Sequence, residues 1–348
     1  MYNFRFISVK KNIIPTIFLI FTICLVIFSK SNLSASKDGL LLWANNIIPS
    51  LLPFFIATEL LSNTNIIYKL GHILEPIMKP FFNVPGIGSF ALIMGIISGY
   101  PTGAKIVSNL MENKLCTKEE AERMIAFTNN SGPLFILGTV GISMFGDNTI
   151  GVLLLITHIL ACITVGMIFK FWKINKNSNK KNTTNILSNN QDVTFSNLGE
   201  ILSKSILSSI KTILIIGGFV VLFSVILSIL QTSKIINILS IILLPLFNIF
   251  GIDNPNFPLG FISGIFEVTN GLSQISAIPY KNISTNIIIT AFILGFGGLS
   301  VMLQVYSIIS KSNISIKPYI IGKILHGIIA SIYTFIIIYT IPIFNLNL

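Results

Sequence analysis

Apolar residues run along this chain in long blocks without the alternation of half-buried strands, and the polar positions that interrupt them are few and clustered. Such blocks match a hydrocarbon core about 30 Å thick, where only a helix satisfies its own backbone groups. The pattern predicts an all-α polytopic membrane protein. Arg5, Lys10 and Lys11 precede a first run, Ile13 to Ser29. The following SNLSASKDG reads either as a cleavage site or as the exit of a retained helix, and the length of the run favours retention. A second run, Leu40 to Leu61, carries Pro49, Pro53 and Glu59, and GHILEPIMKPFFNVPG (Gly71–Gly86) reads as interfacial.

The pattern fails most sharply between Gly95 and Pro133. GIISGYPTGAK places Gly99, Pro101 and Gly103 where a helix should open. Exposed amides at a half-helix N-terminus attract anions, and Lys105 adds a full charge. Ser98, Gly99, Tyr100, Thr102, Gly103 and Lys105 are therefore candidate substrate contacts. The alternative is tight packing, since Gly95, Gly99 and Gly103 are spaced four apart. Thr117 and Glu120 form a capping-box pattern that starts a helix near Lys118. That helix is interrupted by Asn129-Asn130-Ser131-Gly132-Pro133, where the two amides and the hydroxyl face either a cavity or a neighbouring helix. A span from Gly151 to Phe169 follows. The lysine- and asparagine-rich linker 170–197 is too poor in apolar residues to pack.

The second half repeats the first at a shift of 165 residues, with 22 identities over the 88 positions from Ile73 to Leu160. PFFNVPGI aligns with PLFNIFGI, and GIISG with GFISG at Gly260–Gly264. The equivalent breaks bring Ser263, Gly264, Glu267, Thr269 and Asn270, and then GFGGLS (Gly295–Ser300) with Gln304. Glu267 is an intramembrane carboxylate, a carrier for a coupling proton or sodium ion or else the partner of Lys105. Glu59 and His158 read as structural. If both the N-terminus and the linker are cytoplasmic, Pro85–Leu110 enters and leaves on one side as a re-entrant hairpin. Each half then holds three spans and a hairpin, so the halves run in opposite directions. Lys30, Lys37, Lys234 and Lys281 would be the only basic residues outside. Inverted repeats with broken helices are the architecture of secondary transporters.

Composition narrows the function classes. The chain is 52% hydrophobic and 10% charged, with a mean hydropathy of +0.83. Its net charge of +11 is spread over connecting loops without aromatic interleaving, which favours loop charge over a nucleic-acid partner. Cys24, Cys116 and Cys162 lack CxxC spacing, and His72, His158 and His326 are scattered, so no disulfide framework, metal site or cofactor is indicated. No catalytic constellation converges, and an enzyme is not expected.

SGYPTGAK, EEAERMIAFTNNSGPLFILGTVG and FEVTNG resemble the sporulation integral membrane proteins of the YlbJ type, also called stage V sporulation protein V. These belong to the group with a nucleoside-recognition gate domain, which is similar to the repeats of concentrative nucleoside transporters. The resemblance runs from Trp43 to about Tyr333. It implies a permease of endospore formation, moving dipicolinic acid from the mother cell across the outer forespore membrane. A pyridine dicarboxylate suits half-helix N-termini plus Lys105, with Asn129 and Asn130 as hydrogen-bond partners. A nucleoside or nucleobase permease and a non-transporting membrane scaffold are the rival expectations. The division expected is 1–30, an N-terminal transmembrane helix; 31–169 and 198–341, gate-like repeats; and 170–197, a cytoplasmic linker. Accordingly, Ser188→Cys should react with an impermeant thiol reagent from the cytoplasmic side alone; labelling from outside would reverse the orientation.

Overall fold

The computed structural model describes residues 2–173, 197–279 and 283–344, so most of the 170–197 linker and Lys281 lie outside the described residues. The chain begins with α1 (Tyr2–Ile27) and α2 (Ser29–Leu42), bent 99° from one another. The first helix thus ends two residues short of the apolar run. α2 continues through a π-helical stretch, Trp43–Ile47, into α3 (Ile48–Ser62). Pro49, which has no amide to donate, lies directly after the π-helical stretch.

Next come α4 (Ile66–Phe82), α5 (Gly88–Ile97), α6 (Thr102–Glu112), α7 (Lys118–Phe127), a second π-helical stretch Phe135–Met144, and α8 (Asn148–Phe169). α7 starts where the capping box placed it: the Glu120 amide donates to the Thr117 hydroxyl at 3.2 Å, and the Glu120 carboxylate accepts from the Thr117 amide at 2.8 Å. Beside it, burial and the nearby Glu120 carboxylate push the Cys116 thiol up to about 12.

The second half comprises α9 (Leu198–Thr232), α10 (Ile235–Ile249), α11 (Asn256–Phe266), α12 (Val268–Ser276), α13 (Ile283–Phe296), α14 (Gly298–Ile309) and α15 (Lys317–Thr340). From α4 onward, each first-half element has a counterpart starting within about four residues of the position 165 further along. α5 packs back on α6, and α11 on α12, so each pair is a hairpin of short helices. Ile283–Ser312, broken at Gly297, is instead one of four segments among the described residues long and apolar enough to cross a membrane; the others are Asn148–Phe169, Leu198–Thr232 and Lys317–Thr340. The bent N-terminal pair makes five if taken as one span.

Two cores form, and the broken helices are shared between them. One core gathers α4 to α7 with Val301, Met302, Val305 and Ile309 of α14. The other gathers α12, α13 and the first part of α8 with Ile136 and Val140 of the π-helical stretch 135–144. Each half therefore sends the segment after its second break into the core of the other. At one end of α7, Arg123 donates to the main-chain oxygens of Asn83, Trp172 and Lys173, joining the ends of α4, α7 and α8. Glu122 beside it receives Lys173 at 2.8 Å and the Trp172 indole at 2.9 Å.

The hairpin α5–α6 approaches α7 without room for side chains. A Cβ on Gly103 would lie 2.0 Å from the Thr128 carbonyl oxygen, backbone that cannot swing aside. Packing is thus part of what the four-residue glycine spacing does. Gly103→Ala should cost about 1–3 kcal/mol or more. Gly218→Ala, where nothing lies within 4 Å of the added carbon, should be neutral or gain up to about 1 kcal/mol. Thermal unfolding of the two variants in detergent measures the difference.

Candidate functional site

Four helix interruptions meet at one place. In the first half Gly99 has φ +78°, and a Cβ there would lie 2.9 Å from the Gly132 amide nitrogen, so the first and second breaks touch through backbone. In the second half Gly298 has φ +76°, and its Cβ would lie 3.1 Å from the Gly264 carbonyl oxygen and 3.3 Å from the Val268 amide. The third and fourth breaks touch in the same way. All four then border one cavity of about 50 Å³, to which they contribute Gly99 and Tyr100, Gly132, Glu267 to Thr269, and Ser300. Gln304 of α14 and Phe135 complete the polar and aromatic wall, and Leu51, Ile216 and Val220 of α3 and α9 close the apolar one. This volume holds a few water molecules. A metabolite enters only if the helices around it move.

Glu267 caps the half-helix α12. Its carboxylate accepts from the Thr269 amide at 3.1 Å and the Asn270 amide at 2.8 Å, and the side chain is 3% exposed. The anion-attracting end of α12 is thus filled by the chain's own carboxylate. The N-termini of α6 and α14 carry no side-chain cap. Gln304 donates to the Ser300 hydroxyl at 3.4 Å, while its Oε1 is buried without a partner.

Of the residues singled out by sequence, Gly99, Tyr100, Thr269, Gln304 and Glu267 line this cavity. Lys105 does not. It forms an ion pair with Glu59 and donates to Ser208 at 2.9 Å and Thr212 at 3.1 Å. The expectation that Glu267 is its partner is corrected: α3 and α9 bring the neutralising groups, and they border a separate cavity of about 10 Å³ with Thr102. Ser98 is buried 3.0 Å from the Thr58 hydroxyl.

The asparagine pair braces helices and is absent from the cavity wall. Asn129 Nδ2 donates to the Tyr319 hydroxyl at 3.1 Å; Asn130 Nδ2 donates to Phe127 O at 2.9 Å and lies 3.3 Å from Cys162 Sγ. The Ser131 amide donates to His158 Nε2 at 3.2 Å, and its hydroxyl to Leu294 O at 3.4 Å. Both asparagine Oδ1 atoms are buried without partners. Ser263 donates to Leu259 O and Gln274 Oε1, Gly264 abuts Gly271, and the Asn270 amide serves Glu267. Ser300, within the Gly295–Gln304 break that the sequence set facing the site, lines the cavity; sequence reasoning passed over Gly132 and Phe135 as cavity residues, and Lys323, whose ammonium donates to Asn129 O at 3.2 Å. The repeat register held the missing signal for Lys323, which falls 165 residues after His158.

Broken helices that meet around a small cavity lined mainly by apolar surface place the chain in the class of polytopic helical membrane proteins. The family described as Gate, nucleoside recognition, matches residues 44–171, which take in the first two breaks. The chain is also similar to the sporulation integral membrane protein YlbJ of Bacillus subtilis (strain 168), with 35% identity over 341 residues, covering 95% of this chain and 83% of the relative. It belongs to the family of YlbJ-type sporulation integral membrane proteins.

The Glu59–Lys105 pair is half-sheltered, with side chains 19% and 23% exposed. Removing one member strands the other, whereas removing both leaves no uncompensated charge. Glu59→Gln should lose about 1–3 kcal/mol of stability, and Glu59→Gln with Lys105→Gln should recover most of it. Thermal unfolding of the single and double variants completes the cycle.

Proposed function

We propose that the protein is an alternating-access transporter of a small anionic metabolite during endospore formation, with dipicolinate as the substrate that best fits. The observation that carries this reading is the convergence of all four helix breaks on one cavity. Broken helices are tolerated at membrane depth where they line a cavity, and there they present amides and carbonyls to a solute. The 165-residue register, with the halves exchanging segments across the cavity, supports two inverted repeats that rock about it. The uncapped N-termini of α6 and α14 favour a carboxylate, as does the Gln304 Nε2 donor, and the aromatic Tyr100 and Phe135 suit a planar ring. Glu267 is the candidate for the coupling proton or sodium ion. The setting that fits is the mother-cell-derived outer forespore membrane.

A nucleoside or nucleobase permease is the second reading, favoured by the gate-domain match alone. Proteoliposome uptake separates the two. Pyridine-2,6-dicarboxylate should accumulate under a proton or sodium gradient, and Gln304→Leu should slow it about tenfold or more. Uridine uptake in its place would select the second reading, and no flux of either under any gradient would leave only a scaffold.

A further inference from the structure

Lys105 has an acid opposite it; the fully buried Lys323 does not. Lys323, in the second turn of α15, is 1% exposed and takes part in none of the four ion pairs among the described residues. An ammonium offers three donors, and here the Asn129 main-chain oxygen at 3.2 Å is its one acceptor. The titratable groups close enough to interact with its charge are His158 and Cys162 of α8 and His326 of α15. Tyr319, one turn away on α15, is engaged by Asn129. None of these is a carboxylate. An unpaired charge in a low-dielectric interior is costly, and in a membrane helix such a residue marks a functional position.

Its location gives the charge a purpose. The Lys323 Cε lies 3.5 Å from where Gly297 would carry a Cβ, and its Nζ meets the carbonyl that opens the second break. The ammonium therefore sits directly behind the second and fourth breaks, whose other sides supply Gly132, Ser300 and Val301 to the cavity. The uncapped N-terminus of α14 starts at the same point and adds donors of the same sign. Lys105 cannot serve this purpose, because Glu59 already answers it.

We propose that Lys323 is the counter-charge for a carboxylate group of the bound solute, reached when the second and fourth breaks separate. The inference rests on the transport reading above and moves its anion-binding residue from Lys105 to Lys323. Replacing Lys323 by methionine removes a charge that has no acid opposite it, so it should stabilise the solute-free protein while weakening recognition of carboxylates. A merely structural lysine would give the opposite result on stability.

The test is thermal unfolding of the purified full-length protein at constant ionic strength. Sodium pyridine-2,6-dicarboxylate, sodium acetate, sodium chloride and uncharged pyridine-2,6-dicarboxamide are titrated in turn. The dicarboxylate should raise the melting temperature of the wild type, acetate should do so more weakly, and chloride and the dicarboxamide should not. Lys323→Met should melt higher without solute and bind the dicarboxylate about tenfold or more weakly. Lys323→Arg should keep the carboxylate preference; if Lys323→Met fails to fold, Lys323→Gln takes its place. A wild type unmoved by carboxylates, a response to chloride alone, or an undiminished dicarboxylate response in the uncharged variant would overturn the proposal. Absence of flux in vesicles with the carboxylate response intact would sink the transport reading alone.

Discussion

A helix that stops inside a membrane leaves amides and carbonyls that lipid cannot satisfy, so other protein groups must answer them. This chain stops four times, and much of its interior follows from how those groups are answered. At the third break the Glu267 carboxylate takes two amides. At the second, His158 receives the Ser131 amide and Asn130 folds back on the Phe127 carbonyl. Close backbone packing does the rest, with glycines of one break resting on the backbone of the next. The small residues of these segments are thus conditions for the breaks to exist.

The same arrangement makes the site mechanically divisible. Because α14 packs into the first core and the 135–144 stretch into the second, the second and fourth breaks each join the two cores. The Glu59–Lys105 pair, bridging α3 and α6 with Ser208 and Thr212 of α9, holds the outer helices to this centre. Trp43 adds a second attachment, its indole donating to Ile213 O at 2.9 Å and lying over Gly217.

What the sequence revealed was local. The capping box at Thr117 and the breaks at Gly99, Gly132, Glu267 and Gly297 are written in short-range chemistry, and they appear where the residues put them. The partner of Lys105 was not legible, since Glu59, Ser208 and Thr212 reach it from helices distant in sequence. Nor was the choice between cavity wall and clamp for Asn129 and Asn130, which depends on where Tyr319 and Cys162 arrive. Lys323 stood in plain view as a lysine within an apolar run, and only the placement of Asn129 against it gives it meaning.

On the transport proposal, the cavity between the four breaks opens to each side of the membrane in turn. A cysteine at Ser300, which lines it, can report this in a Cys24→Ser background, since Cys116 and Cys162 are buried. Sealed vesicles would be treated with an impermeant thiol reagent from one face and then from the other. Alternating access should give reaction from both faces, slowed from both by pyridine-2,6-dicarboxylate. Reaction from one face only, or from neither, would contradict it.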